Sequence, residues 1–116
     1  ESSPGVRAIV PFTLSGFTAR MVSKSRPATP IVALTPYQRV VNRMALYWGV
    51  TPWLCHQVQT LEELLATVDT ILGGQPFSLR GASVVVLGGL PVPAHVRTNF
   101  LKVHKVGENL QAQTRP

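Results

Sequence analysis

Three short apolar runs punctuate the chain: RAIVPF (Arg7 to Phe12), PIVAL (Pro30 to Leu34) and ASVVVLGG (Ala82 to Gly89). Runs of this length, rich in β-branched residues and without polar alternation, read as strands buried on both faces. The segments between them carry apolar residues at helical spacing. A strand that is apolar on both sides needs cover on both sides. Alternation of this kind confines the chain to an α/β fold, an open and mostly parallel sheet with helices on its faces.

The segment SGFTARMVSKSR reads as the first helix, with Phe17, Met21 and Val22 on its apolar side and Pro27 ending it. Thr35-Pro36 opens the second, Thr35 as N-cap and Pro36 at the first helical position. Tyr37, Val40, Val41, Met44, Ala45 and Trp48 form its apolar face, and Gly49 stops it. VTPWLC, Val50 to Cys55, is a weaker third strand. The clearest helix is TLEELLATVDTILGG, where Thr60 and Glu63 form a capping box. Its stripe is Leu61, Leu64, Leu65, Val68, Ile71 and Leu72, and Gly73-Gly74 terminates it. GLPVPAHVRTN reads as a loop. In FLKVHKV, Leu101 and Val103 alternate with Lys102 and His104, as in an edge or antiparallel strand. The expectation is a single domain over residues 1–116, with a core of about 6–107 and a polar tail, 108–116. Its sheet has five strands, the last antiparallel.

Charge excludes more than it admits. Eleven Lys plus Arg against five acids give a net charge of +6, a surface that attracts phosphates, nucleic acid or acidic partners. The only carboxylates are Glu1, Glu62, Glu63, Asp69 and Glu108. Glu62 and Glu63 are adjacent on a helix and do not face one site. No paired-carboxylate acid/base site or hard-metal cage is in view. Aromatic residues fall mostly on apolar faces and are not interleaved with the basic ones, which disfavours single-stranded nucleic acid. No helix-turn-helix, zinc-finger or RRM pattern occurs.

No apolar run reaches membrane-spanning length, and the start lacks the pattern of a signal peptide. The lone Cys55 fits a reducing compartment, so the expected location is cytoplasmic. At the end of a strand Cys55 reads as a small buried hydrophobe without a flanking base. His56, His95 and His104 show no metal spacing. Trp48 and Trp53 fit core or interface packing, and Arg39 and Arg43 a solvated helix face with an acidic partner second.

The stretch TLSGFTARMVSK, Thr13 to Lys24, is the candidate site. It is the turn from the first strand into the first helix, where ligands gather in open parallel sheets. The first amides of a helix have no partners within it, and the dipole adds positive potential there. Thr13, Ser15 and Thr18 offer hydroxyls, and Gly16 allows close backbone approach. Arg20 and Lys24, one turn apart, add cationic field. An ordinary helix cap with a solvated basic face accounts for the same residues, because no G-x-x-x-x-G-K signature accompanies them.

TLSGFTARMVSKSRPATPIVALTP, RMALYWGVTPWL and TNFLKVHKVG, in that order from about Val6 to Gly107, resemble the C-terminal domain of bacterial pyruvate kinase. The resemblance implies an α/β domain without catalytic residues. The magnesium and potassium cofactors of such an enzyme belong to a (β/α)₈ barrel that is not in this sequence, and no cofactor is expected in this chain. It also implies a phosphorylated effector, a sugar phosphate or AMP, on the loop Thr13, Leu14, Ser15, Gly16, Phe17 and Thr18. A homo-oligomer assembled through this domain is implied too, with neither membrane nor nucleic acid as partner. Relatives activated by fructose bisphosphate often carry Lys and Arg at the positions of Leu14 and Phe17. Pro91 and Pro93 stiffen the loop before the last strand, where relatives have a glycine-rich lid, so that His95 or Arg97 becomes the alternative anion contact. Relatives also carry helical sequence ahead of the first strand, where this chain has ESSPG. That departure points to an uncovered sheet face or edge.

Overall fold

The computed structural model describes residues 5–91 and 97–107. The elements in chain order are β1 (Val6–Phe12), α1 (Phe17–Lys24), β2 (Ile31–Thr35), α2 (Gln38–Met44), β3 (Val50–Leu54), α3 (Leu61–Gly73), β4 (Ser83–Pro91) and β5 (Arg97–Lys105). The strands form one sheet in the order β3-β2-β1-β4-β5. Every pair is parallel except β4 with β5. The expected fold class is what the structure shows.

Each face of the sheet has its own cover. Ala8, Val10, Phe12, Val32, Leu34, Val84 and Val86 pack against Leu64, Leu65, Val68 and Leu72 of α3. On the opposite face Ala33 packs with Ala19 of α1 and with Val40 and Met44 of α2. The α3 stripe is therefore read correctly from its spacing. Its cap is also as expected: the Glu63 amide donates to Thr60 Oγ1 at 3.1 Å, while Glu63 Oε1 accepts from the Gln59 amide at 2.8 Å. β1 and β4 approach closely at one point. At Gly88 (φ +153) a Cβ would lie 2.4 Å from the Phe12 carbonyl oxygen, so that only glycine fits.

Three local readings are corrected. The apolar side expected for α1 is not its buried side: Phe17 and Met21 are 63% and 50% exposed, while Ala19 and Ser23 are buried. Small residues let α1 lie close to α2, and Ser23 Oγ donates to the Trp48 carbonyl at 2.7 Å. Thr35 is the last residue of β2 and fully buried, so α2 starts later, with Tyr37 as its N-cap residue. Buried at the end of β2, the Thr35 Oγ1 still accepts the Tyr37 amide, at 3.4 Å. α2 ends at Met44, and turns carry the chain to Gly49 (φ +72). Finally, most of GLPVPAHVRTN is strand, with β4 paired to β5 as far as Pro91 and Arg97. Residues 92–96, His95 and Pro93 among them, and the expected tail 108–116 lie outside the described residues.

The alternation in β5 exists, but the side that faces the core is the polar one. Leu101 and Val103 are 70% and 60% exposed, and His104 is buried. Phe100 and Val106 share the parity of His104 and pack into the α3 core. Asp69 of α3 decides between the two parities. Its Oδ1 lies 2.8 Å from His104 Nε2 and accepts the Gly107 amide at 2.7 Å.

A candidate anion-binding loop at the carboxyl end of the sheet

From β1 the chain moves through α1 to β2 on one side, whereas α3 returns it to β4 on the other. The carboxyl ends of β1 and β4 therefore border the topological switch point, the place where open α/β sheets hold ligands. Residues Thr13 to Gly16 occupy that place.

Local bonds shape the loop. The Thr13 amide donates to the Leu34 carbonyl at 3.0 Å, tying the turn to β2. Thr13 is buried, and its Oγ1 accepts the Gly16 amide at 2.9 Å. Gly16 sits at φ +93 as the N-cap residue of α1, a conformation that glycine adopts without strain. Its carbonyl accepts the Arg20 amide at 2.9 Å, and the Phe17 amide donates to Ser15 Oγ at 3.2 Å. Among the described residues the amides of Leu14, Ser15 and Thr18 donate to no protein acceptor outside the helices and strands. These N–H groups and the Ser15 and Thr18 hydroxyls are what the loop offers an anion.

One cation was not legible as part of this loop. Arg43 Nη1, from α2, donates to the Ser15 carbonyl at 3.0 Å, which brings a guanidinium to the loop from 28 residues away in sequence. Its sequence signal was a basic residue one turn after Arg39. Arg39 instead lies over the Tyr37 ring, 5.7 Å from its centroid. Arg20 and Lys24 are exposed on α1, and Leu14 and Phe17 present apolar side chains beside the loop. The β4–β5 hairpin continues past the last β1 pair, Phe12 with Gly88, to Pro91 with Arg97. Those three further residues carry the hairpin about 10 Å beyond the end of β1.

The other singled-out residues lie elsewhere. Cys55 lines an open groove of about 720 Å³ between the end of β3 and α3, together with Leu54, Ala66, Thr70 and Ile71. Burial pushes its thiol up to about 11, so that it stays protonated at neutral pH. Trp53 meets the Phe77 ring edge-on in the core at 5.1 Å, and Trp48 is half exposed beneath Arg26. Among the described residues no three His, Cys, Asp or Glu side chains are grouped to hold a metal, and no helix is long and apolar enough to cross a membrane.

The family model for the pyruvate kinase alpha/beta domain matches residues 2–104. The chain belongs to that family. It is 40% identical over 100 residues to the pyruvate kinase of Clostridium acetobutylicum, covering 85% of this chain and 21% of that protein. Against the pyruvate kinase of Corynebacterium glutamicum it is 35% identical over 103 residues, 89% of this chain and 22% of the relative. Among solved structures, Cryptosporidium parvum pyruvate kinase in complex with ADP matches with a TM-score of 0.75 at 21% identity. That likeness covers 87% of this chain and 20% of the other, and concerns the fold. The pyruvate kinase domain described here thus spans about a fifth of the length of the relatives it matches.

Proposed function

We propose that this chain is a regulatory and assembly domain of pyruvate kinase, inactive by itself, which binds a phosphorylated effector on the loop Thr13–Thr18. The parent enzyme transfers a phosphoryl group from phosphoenolpyruvate to ADP, using magnesium and potassium in a catalytic barrel outside these 116 residues. The observation that carries the effector reading is the position of the loop. It lies at the switch point, where among the described residues the Leu14, Ser15 and Thr18 amides have no protein acceptor and the Arg43 guanidinium lies against the Ser15 carbonyl. The amides and hydroxyls hold the phosphate oxygens, and Arg43, Arg20 and Lys24 supply field. With apolar Leu14 and Phe17 beside the loop, a single phosphate is the better fit, as in a sugar monophosphate or AMP.

Assembly into a homo-oligomer rests on the free edge of β5. The opposite edge, β3, carries Pro52, which removes a backbone donor from that edge, whereas β5 has no proline between Phe100 and Lys105 and keeps its ladder donors.

The test is calorimetric titration of the folded chain with glucose 6-phosphate, fructose bisphosphate, AMP and sulfate. Mutually competitive binding that weakens about tenfold or more in Ser15→Ala/Thr18→Ala is expected, given the strength of hydrogen bonds to charged groups. Affinity unchanged by the double substitution, or no binding at all, sinks the effector assignment.

A further inference from the structure

A second group of side chains stands on the rim beside the Thr13–Thr18 loop. Phe12, Leu34 and Trp53 lie in one row across β1, β2 and β3. Just beyond that row the chain reaches Ser15, Tyr37 and Gln57, which therefore follow one another along the carboxyl ends of the three strands. Two contacts tie this series together. Arg43 of α2 donates through Nη1 to the Ser15 carbonyl at 3.0 Å, and Tyr37 is the N-cap residue of the same helix. Gln57 Nε2 donates to Tyr37 Oη at 3.0 Å, across 20 residues of sequence.

Arg39 completes the group. It lies one turn ahead of Arg43 on α2, and its guanidinium carbon is 5.7 Å from the centroid of the Tyr37 ring. Tyr37 is half-buried and packs against the cluster of Ala19, Ala33, Val40 and Met44. The core holds its ring, and Gln57 holds its hydroxyl. Arg39 is exposed, and among the described residues no carboxylate pairs with it. A lone surface arginine spreads over many rotamers, whereas this one is drawn onto an aromatic ring. The guanidinium then offers its outer side to solvent as a flat, weakly hydrated cationic surface, of the kind on which nucleobases stack.

Reach and shape select the ligand. The ends of β1 and β3 are two strand spacings apart, about 10 Å. Inorganic phosphate on Ser15 and Thr18 does not extend that far along the rim, and a sugar phosphate brings hydroxyls but no plane. A ribose with a base brings both the reach and the plane. We propose that Arg39, held by Tyr37 and Gln57, is the base-reading part of the effector site, and that the site is specific for a nucleoside 5′-monophosphate over a sugar phosphate. The base stacks on the outer side of Arg39, and the phosphate sits on the loop. Tyr37 and Gln57 are positioning residues that fix the plane of Arg39. This inference rests on the effector reading, which supplies the phosphate end.

The test is calorimetric titration of the intact chain with AMP and with ribose 5-phosphate, which has a hydroxyl in place of the base. AMP should bind about tenfold or more tighter, the usual effect of one stacked base. Arg39→Ala, at an exposed position, should bring AMP down to the level of ribose 5-phosphate and leave ribose 5-phosphate nearly unchanged. Arg39→Lys keeps the charge and loses the plane, so it too should lose most of the preference for AMP. Gln57→Ala, also exposed, should lower that preference part of the way. Equal affinity for the two ligands, or a preference that survives Arg39→Ala, overturns the proposal while the loop stands as a phosphate site. Full preference in Arg39→Lys overturns it as well, because charge alone would then account for the selectivity. Absence of binding by both ligands, or binding of both that ignores Ser15→Ala/Thr18→Ala, overturns the loop reading and this inference with it.

Discussion

The two faces of the sheet differ in how completely they are closed. On the α3 face a thirteen-residue helix lies across β1, β2 and β4, and the core residues there are almost without exposure. On the other face two short helices built around Ala19, Val40 and Met44 cover β1 to β3 and stop. The first face specifies itself locally, through a continuous leucine stripe, a capping box and a glycine stop. The second leaves Met21, Leu101 and Val103 in solvent. Among the described residues the α3 face is the closed one, and no helix covers the other face over β4 and β5.

Substitutions that compare equivalent side chains sharpen this contrast. Leu64→Ala, at a fully buried position facing the sheet, should cost about 3 kcal/mol in urea unfolding. Leu101→Ala should change stability by about 0.5 kcal/mol or less. Equal losses would break the comparison, because they would mean that the open face is packed in solution. Asp69 and His104 belong to the closed face. Removing the imidazole with His104→Ala leaves the carboxylate of Asp69 buried with only the Gly107 amide, at a cost of about 3 kcal/mol. His104→Asn, which restores a donor near Asp69, should recover part of it. A smaller loss is expected at the cap, where Thr60→Ala removes the acceptor of the Glu63 amide and costs about 1 kcal/mol.

The same contrast decides what the sequence could reveal. On the α3 face the stripe, the cap and the buried runs of β1, β2 and β4 followed from neighbours within one helical turn or one strand, and these were legible. What failed depended on partners far away in sequence. FLKVHKV contains two apolar residues of each parity once Phe100 and Val106 are counted, and the choice between them rests on Asp69, 35 residues from His104. The apolar residues of α1 suggested a buried side, but α2 selects the small residues Gly16, Ala19 and Ser23 instead. In the candidate site the loop itself was legible from its hydroxyls and glycine. Arg43 was not, because nothing local links α2 to the Ser15 carbonyl.

The smallest expected effect tests the closure of the α3 face near its margin, where Cys55 packs against the core beside Trp53. Burial raises the thiol from 9.0 to about 11. Because the folded value is the higher one, the stabilisation linked to this group is fully present below pH 9. It is lost as pH rises from 9 towards 11, where the unfolded chain releases the proton first. Cys55→Ala should flatten the unfolding midpoint over that interval relative to the unsubstituted chain, while leaving the profile between pH 6 and pH 8 parallel, as measured by urea titration at fixed ionic strength. In the native chain a thiol reagent should react slowly at pH 8 and faster towards pH 11, following the thiolate. Ordinary thiol reactivity at pH 8 would show that the groove between β3 and α3 admits water more freely than the packing of Cys55 indicates. The α3 face would then be closed at its centre, over β1 and β4, and open along its β3 margin.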